Sequence, residues 1–230
     1  MRPPSAGAFS GNIFAAGSRA DTAGLRGGAN ESISRILAQP GTLPGVDTVS
    51  FTRMADGTRE DYALLARYEE EYSAKLPDRL LAALDALKQS LVGYQVTRYE
   101  HSLQSATRAH RDGKSEEYVV AALLHDIGDE LAPYTHSEMV GAILRPYVSE
   151  EICWVVAHHG VFQSYYYAEH YDGDKNAREQ FRSSPYFDAC AEFCERYDQN
   201  CFDPAYESLS VEFFEPMVRR VFATPRYLPE

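Results

Sequence analysis

Tyr118-Val119-Val120-Ala121-Ala122-Leu123-Leu124-His125-Asp126-Ile127-Gly128 reads as an apolar helix that ends on an imidazole and a carboxylate. Ser115-Glu116-Glu117 opens it with a capping residue and an acidic first turn, and Gly128 marks where it stops. Ala121 and Ala122 are small enough to let another helix approach closely. Adjacent residues normally diverge on a helix, but a helix end can turn both His125 and Asp126 toward one centre. Buried His and Asp are costly unless they are paired or bind a metal, so a metal site is the first reading of this segment.

Helical signals continue on both sides. Thr58-Arg59-Glu60-Asp61 has capping-box form and leads into Leu64, Leu65, Tyr68 and Tyr72. Pro77 suits a first helical turn, ahead of Leu80, Leu81, Leu84 and Leu87 on one face. A helix carrying His101, Leu103 and Ala106 is closed by Gly113. Further helices are expected over about 136–145, 149–160, 176–182, 185–198 and 216–223. Strand alternation is almost absent. The expectation is an all-α fold, a single helical domain over 48–230 with a helical extension at its N-terminal side. Residues 1–47, rich in Gly, Ala, Ser and Pro, read as a flexible, disordered tail. Arg2, Arg19, Arg26 and Arg35 admit an organelle-targeting peptide there, which Asp21 and Glu31 weaken.

At 230 residues with 44% hydrophobic content, the chain can bury one good core. Its formal charge of −12 argues against nucleic-acid or anionic-membrane partners, and no apolar run is long enough to span a bilayer. Cys153, Cys190, Cys194 and Cys201 lack paired zinc-finger spacing and are too few for a disulfide scaffold. A reducing, cytoplasmic setting is expected.

Three more of the seven histidines, and Asp198, join the His-Asp pair in a candidate site. His136 shares a helix face with Met139, Val140, Ile143 and Leu144. Ile152, Val155 and Val156 make an apolar face whose next position is His159, whereas His158 lies off it. Asp198 shares a face with Cys194 and Ala191. His101 shares one with Gln104 and Ser105, which are placed to orient it. His/Asp donors without cysteine suit iron, manganese or another borderline-to-hard divalent ion. Six ligands exceed the needs of one open zinc site and suit two metals.

The ordered set His101, His125-Asp126, Asp198 resembles the HD-domain superfamily, and His136 and His159 resemble the additions of its dinuclear branch. Within that branch the chain looks most like the mixed-valence di-iron oxygenases, the group of myo-inositol oxygenase and the hydroxyphosphonate-cleaving enzymes. Val96-Thr97-Arg98-Tyr99-Glu100-His101-Ser102-Leu103-Gln104, His136-Ser137-Glu138-Met139-Val140-Gly141-Ala142 and Arg196-Tyr197-Asp198-Gln199 carry the likeness. The resemblance implies that His101, His125, Asp126 and Asp198 hold one iron, and that Asp126 bridges to a second held by His136 and His159. It makes Asp126, His136 and His159 the residues nearest the chemistry, with a small-molecule substrate and O2 meeting at the second iron.

Three departures bear on the substrate. Asp129 stands where many HD phosphohydrolases carry a phosphate-contacting lysine, Gln163 where the oxygenases often have a substrate-holding lysine, and Glu195 where an arginine grips phosphonate. Together they turn the expectation from phosphate or phosphonate toward a neutral or zwitterionic alcohol. Tyr94, Gln163 and Tyr166 are candidate substrate contacts; helix packing and a surface loop are the alternative for the Tyr165-Tyr166-Tyr167 run. Lys175, Arg178 and Arg182 read as a solvated face. A metal-dependent phosphohydrolase is the competing enzyme reading, and a binding module on a degenerate HD fold is a third.

Overall fold

The computed structural model describes residues 46–227, and the tail expected over 1–47 lies outside them but for its last two residues. Eight α-helices and no β-strand occur among the described residues. They are α1 (Arg59–Ser73), α2 (Leu76–Ala86), α3 (Arg98–Arg111), α4 (Glu116–Leu124), α5 (His136–Leu144), α6 (Glu150–Gln163), α7 (Phe187–Phe193) and α8 (Val211–Val221). Residues from Lys75 onward form one compact unit, and Ala74 closes the other.

In the unit that ends at Ala74, α1 is fixed by its start. Thr58 Oγ1 accepts from the Asp61 N–H, and the Asp61 carboxylate accepts from the Thr58 N–H at 2.9 Å and from the Ser50 N–H at 2.7 Å. These bonds satisfy donors that a helix start leaves open. Tyr72, expected on the apolar stripe, is exposed.

The second unit is organised around α4. Every residue from Tyr118 to Leu124 is buried, so this helix has no solvent face, and α3, α6 and α8 pack around it. Ser115 caps it through the Tyr118 N–H. Beyond Leu124 the chain passes through successive turns, with Ile127 N–H bonded to the Leu124 carbonyl and Asp129 N–H to that of Asp126. His125 and Asp126 therefore leave the helix side by side, at the middle of the core. At Gly128 a Cβ would meet the His136 carbonyl at 2.8 Å, so the turn must be glycine to let the start of α5 come this close.

α5 and α6 approach each other closely. A Cβ on Gly141 would lie 2.7 Å from the Cβ of Ala157. This approach sets the spacing of the helices that carry His136 and His159.

Four expected spans differ from those found. Residues Ala177–Phe181 form a 3-10 segment rather than an α-helix. The helix expected over 185–198 is α7 followed by a π-helical turn, Cys194–Asp198, that ends on Asp198. α8 begins at Val211, not Pro216. Pro216 forgoes one backbone bond inside it, and burial of Phe214, Val218 and Val221 on one face carries the helix through. α6 also continues past residue 160 to Gln163, because Phe162 extends its buried face. Cys153, Cys190, Cys194 and Cys201 are all free thiols.

Candidate metal centre

Five residues, His101 and His125, Asp126, His159 and Asp198, are no more than 1% exposed, and His136 joins them from the first position of α5 with its side chain 21% exposed. α3 supplies His101, the end of α4 supplies His125 and Asp126, α6 supplies His159, and the π-turn supplies Asp198.

Asp126 divides its carboxylate between two histidine pairs. Its Oδ2 lies 3.3 Å from His101 Nε2 and 3.2 Å from His125 Nε2, and its Oδ1 lies 3.5 Å from His136 Nε2 and 3.4 Å from His159 Nε2. Asp198 Oδ1 lies 3.4 Å from His101 Nε2 on the first pair's side. Within each pair the Nε2 atoms stand close together, 3.1 Å for His101 and His125 and 3.2 Å for His136 and His159.

The far nitrogens fix the tautomers. Nδ1 of His101 donates to the Cys201 carbonyl at 3.1 Å, that of His125 to Ala122 at 2.7 Å, and that of His159 to Val156 at 2.7 Å. Three imidazoles thus aim Nε2 lone pairs inward, and two such lone pairs at 3.1 Å repel unless a cation lies between them. With metal–nitrogen bonds of about 2.0–2.1 Å, two ligands at right angles stand about 3 Å apart. Asp198 Oδ2 is buried without a hydrogen-bond partner among the described residues. The donor set therefore fits divalent cations. Three overlapping groups could hold one: His101, His125 and Asp198; His125, Asp126 and His159; and Asp126, Asp129 and His136.

The electrostatics agree with that fit. Burial opposes ionisation of Asp126, but the Arg98 guanidinium and the facing His125 and His101 hold its carboxyl well below the ordinary range. Burial likewise opposes ionisation of Asp198, and His101 and His125 bring it below the usual value. His101 is pushed up to about 9: burial would lower it, and the bonds to Asp126 and Asp198 prevail, so the two carboxylates favour positive charge at its Nε2, carried by a proton or by a cation in its place.

Orientation of His101 does not come from Gln104 or Ser105. Gln104 instead donates to the Asp203 carbonyl at 2.8 Å, and the Cys201 carbonyl holds His101, because the chain after the π-turn folds back across α3. Phe202 in the same stretch stacks on His101 at 4.4 Å, and Tyr94 stacks on Phe202 at 4.8 Å. Tyr94 is half exposed, so a column of rings runs from the surface to a buried imidazole. Gln163 donates to Asp198 Oδ1. Tyr166 is partly exposed and lies toward Cys194 and Glu195, whereas Tyr167 senses the charges of Asp198 and Arg98. Lys175 pairs with Glu169, Arg182 pairs with Glu179, and Arg178 stacks on Tyr165. Glu195 is exposed.

Sequence reasoning passed over Arg98. Its side chain is 10% exposed, and its Nη2 lies 2.9 Å from Asp126 Oδ2 and 2.8 Å from Asp129 Oδ2. The signal was available: Arg98 stands three residues before His101, on one side of α3.

Comparison with known proteins agrees over this region. Residues 98–182 match the HD domain family. An 85-residue stretch is 34% identical to the [1-hydroxy-2-(trimethylamino)ethyl]phosphonate dioxygenase (glycine-betaine-forming) of Leisingera caerulea, covering 32% of this chain and 43% of that protein. The likeness thus spans less than half of the relative's length. The match to the HD domain family covers residues 98–182, the segment that supplies every converging ligand candidate except Asp198.

Proposed function

We propose that the chain is a dinuclear metal enzyme, a di-iron oxygenase that oxidises or oxidatively cleaves a small hydroxylated metabolite. The observation that carries this reading is the division of Asp126 between two pairs of imidazoles, which suits a carboxylate bridging two cations. His101, His125 and Asp198 would hold one ion, and His136 and His159 the other. When bound, two iron ions would supply redox chemistry toward O2 and a Lewis-acidic seat for a substrate hydroxyl. Asp126, His136 and His159 would stand nearest that chemistry.

This chain's own residues determine access. His136 has the most exposed side chain of the six, so a substrate would approach past it rather than past His101, which Phe202 covers. Gln163 would hold Asp198 in place through its bond to Oδ1. Tyr94 and Tyr167 would offer ring faces and hydroxyls beside the opening, and Tyr166 would act at its rim.

Asp129 supports oxygenase over phosphohydrolase. It puts a second carboxylate beside the more open ligand, where it would repel a phosphoryl group. Arg98 lies beside it but is already committed to two aspartates, so it cannot serve as a free phosphate clamp. The relative's name, a dioxygenase of a hydroxylated phosphonate, supports the same class of reaction.

The test is oxygen uptake by iron-loaded protein against a panel of hydroxyphosphonates and of neutral and zwitterionic alcohols. Substrate-dependent uptake that stops on chelation is the expected result. Phosphate release from nucleotides with Mn or Mg, with no oxygen uptake, would establish the phosphohydrolase instead.

A further inference from the structure

His136 is held differently from its three companions. The Nδ1 atoms of His101, His125 and His159 are fixed by backbone carbonyls, whereas Nδ1 of His136 faces a side chain, Asp129, whose Oδ1 lies 3.4 Å away. Asp129 is held in turn by Arg98, which donates to its Oδ2 from Nε at 2.9 Å and reaches the same oxygen from Nη2 at 2.8 Å. That Nη2 is also 2.9 Å from Asp126 Oδ2. The contacts form a closed circuit: Asp126 to Arg98, Arg98 to Asp129, Asp129 to His136, and His136 Nε2 back to Asp126 Oδ1 at 3.5 Å.

We propose that Arg98 and Asp129 are positioning residues that act as one unit, aiming His136 at the second metal and fixing the tilt of the Asp126 carboxylate; this rests on the dinuclear reading above. The physical case has two parts. A carboxylate on the far nitrogen of a ligating imidazole sets its tautomer and raises its basicity. A buried arginine between two aspartates offsets their repulsion and uses its fork geometry, which a lysine lacks. Asp129 is not itself the better ligand, because Arg98 occupies one of its oxygens and the other faces Nδ1, on the opposite side of the ring from the metal-facing Nε2. The unit also explains how a partly exposed histidine at the first position of a helix can be held without a backbone anchor.

The experiment is Mn2+ titration of the full chain, followed by loss of the free-ion EPR signal, for the wild type, Asp129→Asn, Arg98→Gln, Arg98→Lys and the Asp129→Asn/Arg98→Gln double variant. The wild type is expected to show two sites. Asp129→Asn keeps the shape of the side chain and should weaken the second site by about 10–100-fold, leaving the first site and the thermal midpoint unchanged. Arg98→Gln should weaken the second site as much and the first to a lesser degree, because Arg98 also holds Asp126 Oδ2, the oxygen that faces His101 and His125. Arg98→Lys should not restore the second site, and at that site the double variant should be no weaker than the weaker single variant. An unchanged second site in Asp129→Asn overturns the inference, as do additive losses in the double variant. So does equal weakening of both sites with a lowered midpoint, the mark of a merely structural role. A wild type that binds fewer than two ions overturns the dinuclear reading itself. Asp129→Asn alone decides the matter if the Arg98 variants do not fold.

Discussion

His158 lies flat on Trp154, with ring centroids 3.9 Å apart and planes 16° from parallel, and its Nδ1 donates to the Trp154 carbonyl at 2.8 Å. Its neighbour His159 points the other way, into the centre. The two adjacent imidazoles therefore do separate work. His159→Ala should lower metal content. His158→Ala should leave metal content unchanged and cost about 0.5–1.5 kcal/mol of stability from the lost ring pair. Metal analysis and chemical denaturation of both variants check this, and the reverse pattern would refute it.

Asp126 and Asp198 should differ in reach. Asp126 faces both histidine pairs, and Asp198 faces His101 and His125. Asp126→Asn should weaken both metal sites, whereas Asp198→Asn should weaken one. Two-site binding isotherms distinguish the outcomes; equal losses in the two variants would argue against a bridging carboxylate.

The close approach of α5 and α6 should matter at the site as well as in the core. Gly141→Ala would bring a methyl group within 2.7 Å of the Ala157 Cβ, and two backbones must shift to relieve it. Overpacking of this kind costs about 1–3 kcal/mol. Because these helices carry His136 and His159, the same substitution should weaken the second metal site. Denaturation and metal titration of Gly141→Ala would measure both effects.

Much of the candidate set could be marked from periodicity, because His136, His159 and Asp198 lie on stripes of apolar or small neighbours, as His159 does with Ile152, Val155 and Val156. The convergence itself was less accessible. The π-turn before Asp198 departs from the ordinary helical spacing, and nothing in the residue types announces it. The anchor of His101 is a backbone carbonyl, so the identity of Cys201 carries no sign of it. Arg98 and Asp129 stand 31 residues apart, and only the closeness of α3 to the turn after α4 makes them a pair. Helix existence followed from patterns of apolar residues. Helix ends did so where a cap was present, as at Thr58 and Ser115, and less so at Pro216, where burial outweighs the missing N–H.

Asp61 gives a test in acid. Backbone donors at Thr58 and Ser50 hold its carboxyl down to about 2. Its folded value is depressed, so its contribution to stability is complete above the unfolded value of about 3.9 and is lost as pH falls through about 2. Protection factors in the first turn of α1, the intrinsic exchange rate at each pH divided by the observed one, should therefore fall between about pH 4 and pH 2. Asp61→Ala should exchange faster throughout and lose that pH dependence. A wild-type profile that is flat across this window would contradict the capping role.

The central claim is a dinuclear centre that works with iron and oxygen. EPR spectroscopy of the aerobically iron-loaded chain, partly reduced with ascorbate, tests it most directly. The account predicts a spin-coupled mixed-valence signal that is perturbed by a hydroxylated substrate and absent from His159→Ala. Iron-loaded protein without any dinuclear signal, which instead releases phosphate from nucleotides under Mn or Mg, would contradict it.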